Sequence, residues 1–304
     1  MVNIIKIENL KKSFGQVKAV DDLSFKVKEG ELFAFLGVNG AGKSTTISIM
    51  CGTLEKDGGK VFIDGVDTDV DAHSLKSKIG VVFQNSVLDK SLTVYDNLKN
   101  RASLYGIHDK DFEERLEYLC SILDFKDYLH RSVNKLSGGQ RRKIDIARAL
   151  FHDPKILVLD EPTTGLDPQT RTTLWKVIEQ FRKEKNMTVF LTTHYMEEAS
   201  DADYVVIIDN GKIVAEGTPV DLKNNYSGDF IYLYGVSEEQ VKNLGVPFKR
   251  TGQAIRLSVE NTAMATALIV KYPEIFKDYE VMKGKMDSVF LTVTGKSLGE
   301  GGAK

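Results

Sequence analysis

A glycine-rich string near the N-terminus constrains the fold of this chain more than any other feature. It reads Gly37-Val38-Asn39-Gly40-Ala41-Gly42-Lys43-Ser44 and matches the phosphate-loop pattern GxxxxGKS. An apolar run at residues 33–36 leads straight into it, and a helix is predicted from residue 43 to about residue 51. A strand, a glycine-rich turn and a helix start together place several backbone N–H groups around a phosphate. The string therefore predicts a nucleotide site in an α/β fold.

The residue types in this loop suit phosphate chemistry. Gly40 and Gly42 let the backbone approach a phosphate closely and adopt unusual φ values. Lys43 is expected to reach the β- and γ-phosphates, and the Ser44 hydroxyl to bind Mg²⁺. A chance match is the alternative interpretation, and the preceding strand and following helix argue against it.

Strands and helices alternate over most of the chain. Apolar strands are predicted at residues 79–83, 156–159, 188–192 and 204–209, with helices between them. Such alternation predicts a largely parallel sheet with right-handed crossovers. The period is helical at residues 92–129, so residues 84 to about 154 are expected to form an inserted helical lobe.

Two carboxylates follow the most apolar of these strands. The run at residues 156–159 delivers Asp160 and Glu161 to the carboxyl end of the sheet, where parallel sheets bind ligands. Asp160 suits a Mg²⁺ ligand, directly or through water. Glu161 suits orienting or deprotonating an attacking water. The alternative interpretation is a solvated carboxylate at a strand end.

A second glycine-containing string, Leu136-Ser137-Gly138-Gly139-Gln140, stands between the two halves of this predicted site. Ser137 and Gln140 have capping-box spacing, so a helix should begin here. The two glycines leave its N-terminus without side chains, and such an end attracts anions. Because one phosphate cradle is already present, this second one is predicted to close over a nucleotide bound by another copy. The alternative is a helix cap with no further role.

Composition excludes several classes of protein. The 304 residues are 42% hydrophobic and 28% charged, and the formal net charge is −2. That charge gives no overall basic field for nucleic acid or an anionic membrane. The sequence lacks an apolar run of the roughly 18–20 residues that a membrane helix needs, and lacks a signal-peptide core at its start. A cytoplasmic protein is expected.

The character of the sequence changes after about residue 220. The polar stretch at residues 221–228 predicts a linker. Strands are predicted at residues 230–234 and 254–259 and around Tyr279 and Phe290, with helices at residues 238–243 and 262–270. These elements predict a small α+β domain at residues 226–304 with a disordered tail from Gly299. Residues 1–225 would form the larger domain, with the helical lobe inserted at about residues 85–154.

Together these motifs resemble those of the ATP-binding cassette (ABC) ATPases over about residues 5–223. The resemblance implies an α/β P-loop NTPase domain of the ABC type, with a mainly parallel sheet core, an antiparallel β edge and an inserted helical subdomain, followed by the small C-terminal α+β domain. It implies ATP and Mg²⁺ as ligands and an active ATPase.

The resemblance also assigns roles to individual residues. Glu161 would be the catalytic glutamate, Gln84 the Q-loop glutamine and His194 the switch histidine. Ser44, Gln84 and Asp160 would hold Mg²⁺. Phe14, where many members have tyrosine, would stack on adenine, and Val38 replaces a common proline. The nucleotide-binding set would be Phe14, Gly37, Asn39, Gly40, Ala41, Gly42, Lys43, Ser44, Thr45, Ser137, Gly138, Gly139, Gln140 and Asp167.

One cassette without a membrane segment implies separate membrane subunits. Residues 286–298 resemble the ending of ATPases of daunorubicin-resistance-type (ABC-2) drug exporters. The expected partners are a second copy of the chain and integral membrane permease subunits, at the inner face of the cell membrane, with no nucleic acid. The expected cargo is drug-like or amphiphilic. A mechanochemical or regulatory ATPase acting on a soluble partner is the main alternative. A P-loop kinase is disfavoured because Glu161 and the second glycine string would have no role in it.

Overall fold

The structure is a computed structural model that describes residues 2–296, except the side chains of Ala72 and His73. By its contacts the chain divides into two compact units. The first runs from the N-terminus to His194 and includes Ala202–Ile213. The second contains Tyr195–Asp201 and the chain from Val214 onward. The predicted domain boundary after residue 225 lies within this second unit.

Strands and helices follow one another along the described chain. The strands are β1 (Asn3–Phe14), β2 (Val17–Lys28), β3 (Leu32–Leu36), β4 (Gly58–Ile63), β5 (Val66–Asp67), β6 (Ile79–Val82), β7 (Ile156–Asp160), β8 (Thr188–Thr193), β9 (Tyr204–Asp209), β10 (Lys212–Gly217), β11 (Asp229–Tyr234), β12 (Phe248–Thr251), β13 (Ala254–Val259) and β14 (Tyr279–Met282). The helices are α1 (Lys43–Met50), α2 (Ala72–Lys78), α3 (Val94–Ser103), α4 (Asp109–Leu123), α5 (Gly138–Leu150), α6 (Pro168–Lys185), α7 (Met196–Ser200), α8 (Pro219–Tyr226), α9 (Glu238–Lys242), α10 (Thr262–Lys271) and α11 (Met286–Thr294). Short 3-10 turns occupy Lys126–Tyr128 and Val133–Lys135.

The six-stranded main sheet has the strand order β10-β9-β3-β8-β7-β6. Strand β3 pairs in parallel with β8 and β9, and β7 pairs in parallel with β6 and β8. Every residue of β3, β7 and β8 is buried, which is why these strands are so apolar. The predicted largely parallel sheet is confirmed, and the carboxyl ends of β3, β7 and β8 lie at one edge.

A second sheet, of order β2-β1-β4-β5, supplies the antiparallel part of the fold. Its strands share a hydrophobic core with the main sheet. Phe25 of β2 stacks on Phe33 of β3 with ring centroids 5.3 Å apart, and Phe33 stacks on Phe190 of β8 at 5.2 Å. These aromatic contacts hold the strand that leads into the phosphate loop against its neighbours.

Helices occupy the chain between β6 and β7. Helix α3 begins with a capping box formed by Thr93 and Asp96. On α4, residues Leu116, Leu119 and Leu123 are buried together with Cys120, as their helical spacing predicts. Helix α5 closes this segment and carries the second glycine string at its start.

The second unit contains the element series β11-α9-β12-β13-α10-β14, with the sheet order β12-β13-β11-β14. All pairs in this sheet are antiparallel. This order and connectivity are those of the split βαβ, or ferredoxin-like, arrangement. Its core includes Ile231, Leu233, Leu257 and Ala265, so the predicted α+β character is confirmed.

The predicted linker at residues 221–228 is wrong for most of its length. Residues 219–226 form α8, with Pro219 at the first turn and a cap in which the Thr218 side chain accepts from the Asp221 backbone N–H. Leu222 is fully buried. A single buried leucine among polar residues leaves little periodic signal, and the Thr-Pro start was the better indicator.

The predicted strand around Phe290 is also wrong, because residues 286–294 form α11. Met286, Val289 and Phe290 are its buried residues, at the i, i+3, i+4 spacing of a helix. The β-branched and aromatic residues of this run favour a strand by propensity, and burial of one helical face overrides that preference. Strand β12 was missed, and the tail from Gly299 lies outside the described residues. Among residues 2–296, no helix has the length and apolar character needed to cross a bilayer.

Candidate nucleotide-binding and catalytic site

The phosphate loop connects β3 to α1, as predicted. Gly40 and Gly42 have φ values of 82° and 109°, in the region that favours glycine. A Cβ on Gly42 would lie 2.3 Å from the backbone oxygen of Ala19, and one on Gly37 would lie 2.8 Å from that of Ile208. Close backbone packing therefore requires glycine at these positions and fixes the path of the loop.

Lys43, the first residue of α1, lies at the centre of the site and is only 5% exposed. Its Nζ donates to the backbone oxygens of Gly37 (2.7 Å) and Val38 (3.2 Å). The same atom lies 3.5 Å from Oε1 of Glu161. Burial lowers the pKa of Lys43, while the carboxylates of Glu161 and Asp160 oppose that shift. The ammonium is thus held over the loop and beside the carboxyl end of β7.

Strand β7 presents two buried carboxylates at its end. Asp160 accepts a hydrogen bond from Oγ1 of Thr192 at 2.5 Å. Glu161, 7% exposed, has a φ of 46°, a left-handed conformation that is strained for a residue with a Cβ. Its backbone N–H donates to the Thr192 carbonyl oxygen at 3.1 Å, which holds the turn in place. Strained backbone of this kind concentrates at functional sites.

The carboxylate of Glu161 is where the predicted catalytic residues meet. Its Oε2 accepts from Nε2 of Gln84 at 3.1 Å and lies 3.3 Å from Nδ1 of His194. Thr164 Oγ1 donates to the same oxygen at 3.4 Å. Gln84 follows β6, Glu161 follows β7 and His194 follows β8, so three neighbouring strand ends converge here. Lys43 lies beside Oε1, so groups from four segments of the chain, including Thr164, contact this one carboxylate.

The second glycine string forms the start of α5. The Ser137 N–H donates to Oε1 of Gln140 at 2.9 Å, and the Gln140 N–H donates to Oγ of Ser137 at 3.2 Å. The predicted capping box is therefore present. Apart from its chain neighbours and the backbone of its own helix, a Cβ added to Gly138 would meet no atom of residues 2–296 within 4 Å, whereas one on Gly139 would lie 3.1 Å from the Thr170 side chain. Gly138 lines a cavity of about 450 Å³ together with Gln84 and Thr164.

Other predicted binding residues lie elsewhere in the first unit. Phe14, at the end of β1, is 51% exposed, and Nζ of Lys12 lies 5.6 Å from its ring centre. Asp167 caps α6 by accepting from the backbone N–H of Thr170 at 2.9 Å and from its hydroxyl at 2.6 Å. These hydrogen bonds lower the pKa of Asp167. Among the described contacts, neither Phe14 nor Asp167 touches the Glu161 carboxylate, and their roles in nucleotide binding stay predictions.

Oxygen ligands suited to Mg²⁺ are available beside Lys43. Ser44 is exposed on the first turn of α1, and Asp160 is the last residue of β7. Hydroxyl, carboxylate and phosphate oxygens are the donors that Mg²⁺ prefers. Within residues 2–296 no cluster of three His, Cys, Asp or Glu side chains forms a metal site by itself. These residues thus fit a cation that takes most of its ligands from phosphates and water.

Sequence reasoning missed Arg142, which lies on α5 and is only 6% exposed. Its guanidinium donates to the backbone carbonyl oxygens of Phe83, which precedes Gln84, and of Glu161 itself. The spacing of three residues between Arg142 and Asp145 places two opposite charges on one face of this helix, and nothing in the sequence indicated that this face is buried.

Comparison with known proteins places the chain in a family. Residues 20–164 match the family described as ABC transporter. The linearmycin resistance ATP-binding protein LnrL of Bacillus subtilis (strain 168) is 32% identical, over 97% of this chain and 99% of its own length. This chain belongs to the ABC transporter family. The Nod factor export ATP-binding protein I of Ralstonia nicotianae is 33% identical, over 97% of this chain and 95% of its own.

Solved ABC transporter structures share the fold. That of cbiO1 from Clostridium perfringens, part of the ABC transporter complex cbiONQ, matches with a TM-score of 0.68 and 28% identity, over 74% of this chain and 92% of that one. The ATP-binding cassette MJ0796, in a dimeric post-hydrolysis state bound to ADP and Pi, matches with a TM-score of 0.65 and 27% identity, over 71% and 98%. The predicted ABC-type fold is confirmed, and the chain is an ATPase of this family.

Proposed function

We propose that this chain is the ATP-hydrolysing subunit of an ABC exporter, and that it works as a pair of copies on separate membrane permease subunits. The observation that carries the catalytic part is the convergence of Lys43, Gln84 and His194 on the Glu161 carboxylate. The named roles of LnrL in linearmycin resistance and of its relatives in Nod factor export support the transport part.

Hydrolysis needs a group that takes a proton from water. In the proposed step the water oxygen forms a bond to the γ-phosphorus while the bond from that phosphorus to the β,γ-bridging oxygen breaks. The water proton passes to the carboxylate of Glu161, and ADP keeps the electron pair of the broken bond. Lys43 balances charge on the phosphates, and Gln84 and His194 orient the carboxylate through Oε2.

Magnesium completes the proposed site. Ser44, Gln84 and Asp160 would hold the ion, and the Gln84 amide also donates to the Glu161 carboxylate at 3.1 Å. Bound Mg²⁺ supplies charge neutralisation of the β- and γ-phosphate oxygens.

The start of α5 supports a site shared between two copies. Nothing in residues 2–296 would obstruct a side chain at Gly138, so the packing of this part of the chain gives no reason for glycine there. A bare helix N-terminus that a partner's phosphate approaches does give a reason. In the proposed dimer, Gly37-to-Ser44 of one copy and Ser137-to-Gln140 of the other enclose each ATP, and Phe14 stacks on adenine.

The proposed cargo rests on the names of the relatives, and the proposed location on the membrane permease subunits that the chain is proposed to drive. One relative is named for linearmycin resistance and another for Nod factor export, and a probable multidrug ABC transporter ATP-binding protein, YbhF of Escherichia coli, is 37% identical over 74% of this chain and 39% of its own length. We therefore propose a drug-like or amphiphilic cargo and a position at the inner face of the cell membrane.

Replacing Glu161 tests the proposed catalytic role. Glu161→Gln keeps the size and hydrogen-bonding shape of the side chain but cannot accept the proton. Turnover should fall by about 100-fold or more, while ATP affinity stays within a few-fold of the original. Size-exclusion chromatography with light scattering should show an ATP-dependent dimer. Glu8→Gln makes the same chemical change at a partly exposed position on β1 and should leave turnover unchanged. Near-normal turnover in Glu161→Gln would refute the assignment.

A further inference from the structure

Helix α5 carries two charged residues on its buried side, one turn after the glycine string. Arg142 is 6% exposed and Asp145 is 4% exposed. Charged side chains are seldom buried to this degree unless they are paired and hydrogen-bonded, because desolvation is costly. Burial lowers the pKa of Arg142 and raises that of Asp145, and each charge partly offsets the shift of the other. The hydrogen bonds of these two side chains connect α5 to the chain segments around Gln84 and Glu161.

Arg142 donates to three backbone carbonyl oxygens that belong to two different loops. Its Nη1 donates to Phe83 at 2.6 Å, its Nη2 to Glu161 at 2.9 Å and its Nε to Pro162 at 2.6 Å. Phe83 directly precedes Gln84 in the sequence. A planar guanidinium has its donors in a fixed fork, so three such bonds fix the distance between the two loops.

Asp145 binds the residues that follow Gln84 in the chain. Its Oδ1 accepts from Oγ of Ser86 at 3.0 Å, and the carboxylate also accepts from the backbone N–H of Val87. Gln84 therefore lies in a segment that α5 holds before it, through Arg142, and after it, through Asp145. The Gln84 side chain in turn donates to the Glu161 carboxylate at 3.1 Å.

We propose that Arg142 is a positioning residue. It holds the Gln84 amide and the Glu161 carboxylate at fixed positions relative to each other and to α5. The inference rests on the proposed catalytic role of Glu161. Because the glycine string lies at the N-terminus of the same helix, a shift of α5 moves the guanidinium and so changes the alignment of both loops. Lysine cannot reproduce this arrangement, since one ammonium cannot present three donors in the plane of the fork.

Arg115 on α4 provides a matched control. It also donates to two backbone carbonyl oxygens, Phe151 at 3.3 Å and Leu150 at 2.8 Å, and to Oδ1 of Asp153 at 3.0 Å. Its partners lie at the end of α5, away from the Glu161 carboxylate. Arg115→Lys therefore removes a similar set of hydrogen bonds from a mostly buried arginine without touching either catalytic loop.

The test compares Arg142→Lys with Arg115→Lys in the full chain. Thermal unfolding, the affinity for a fluorescent ATP analogue, kcat and KM are measured for both. Arg142→Lys should lower kcat about tenfold or more with KM within about threefold, while Arg115→Lys keeps kcat within about twofold. A kcat loss in Arg142→Lys no larger than that in Arg115→Lys overturns the proposal, because the role of Arg142 would then be structural alone.

A second comparison covers the case in which Arg142→Lys folds poorly. Arg142→Gln replaces the guanidinium with an uncharged amide that cannot donate to all three carbonyl oxygens, and should lower kcat at least as much as Arg142→Lys. A folded Arg142→Gln chain whose kcat stays within about twofold of wild type overturns the proposal.

Combining substitutions shows whether Arg142 acts through Glu161. In the Glu161→Gln background, Arg142→Lys should lower the residual turnover by less than about twofold, since the group it positions is already lost. A further loss of about tenfold overturns the proposal. Near-normal turnover of Glu161→Gln alone would instead count against the proposed function, so the two failures are distinguishable.

Discussion

Two helices of the first unit, α1 and α5, begin beside glycines, but for different reasons. At α1 the chain itself requires glycine, because Gly42 has a φ of 109° and a Cβ would lie 2.3 Å from the Ala19 carbonyl oxygen. At α5, a Cβ on Gly138 would have no neighbour within 4 Å among residues 2–296, and the residue has no left-handed φ. Glycine at α1 is required by the fold, whereas the reason proposed for glycine at α5 is a phosphate bound by a second copy of the chain.

The two helices also differ in how their N-termini are capped, since α5 has a side-chain cap and α1 does not. Helix α1 has no side-chain cap at Gly42, so its first N–H groups stay available to a phosphate. Helix α5 has a capping box that uses the N–H of Gln140 and leaves those of Gly138 and Gly139 outside it. The start of α1 leaves its first backbone N–H groups uncapped, whereas the start of α5 leaves fewer of them uncapped. The proposed site shared between two copies would use both helix starts.

The largest expected effect comes from Gly42→Ala. A Cβ at this position meets backbone rather than a flexible side chain, and the φ is unfavourable for alanine. We expect a loss of at least about 2 kcal/mol in the free energy of unfolding, with ATP binding abolished. Urea unfolding and equilibrium binding of a fluorescent ATP analogue measure both. A stable Gly42→Ala chain that binds ATP would contradict the claim that the fold requires glycine at the start of α1.

The converse prediction concerns Gly138→Asp. There is room for the side chain, and a negative charge at a helix N-terminus favours the helix by about 0.3–1 kcal/mol, so stability should not fall. Turnover should nevertheless fall about tenfold or more, because the carboxylate repels the partner's phosphate. Gly138→Asn has nearly the same size without the charge and should lose less turnover. Equal activity of Gly138→Asp and wild type would contradict an anion site at α5.

A smaller effect is expected from removing the cap of α5. Ser137→Ala should cost about 1 kcal/mol of stability and also slow turnover, since the cap sets the direction of the free N–H groups. Thr93→Ala removes the equivalent cap from α3 and should cost about the same stability with turnover unchanged. Thermal unfolding and ATPase rates distinguish the two. If Ser137→Ala slows turnover no more than Thr93→Ala does, the cap of α5 has a structural role only.

The smallest effect concerns a third helix start, that of α6. Hydrogen bonds from Thr170 lower the pKa of Asp167 below its ordinary value of 3.8. A lowered folded-state pKa stabilises the fold above the unfolded pKa, and the contribution is lost as pH falls through the folded pKa. The stability difference between wild type and Asp167→Ala should therefore be constant from about pH 5 to 7 and shrink below about pH 4. Urea unfolding at several pH values measures it, and a difference independent of pH would argue against the cap.

The sequence was most informative where function depends on a short local pattern. The phosphate loop, the Asp160-Glu161 strand end and the Ser137–Gln140 cap each follow from residues adjacent in the chain, and the structure contains all three local arrangements. The convergence of Gln84 and His194 on Glu161 follows from their positions at the ends of neighbouring parallel strands, once the strand order is given.

Features that depend on distant partners were harder to predict. Arg142 meets the carbonyl oxygens of Phe83 and Glu161, and neither contact has a local signal. Helices α8 and α11 were mistaken for a linker and a strand, since burial of Leu222 and of Phe290 decides their structure and intrinsic propensity does not.

Complementation between two inactive chains tests the shared site most directly. Lys43→Ala disables the phosphate loop of its own chain, and Ser137→Arg blocks the start of α5, so each chain alone should be inactive. In a mixed dimer, the intact Lys43 of one chain meets the intact Ser137 of the other and restores one site of two. Because half of the dimers in an equimolar mixture are mixed, the ATPase rate should recover to about a quarter of wild type. A mixture no more active than its separate components would contradict a site built from two copies.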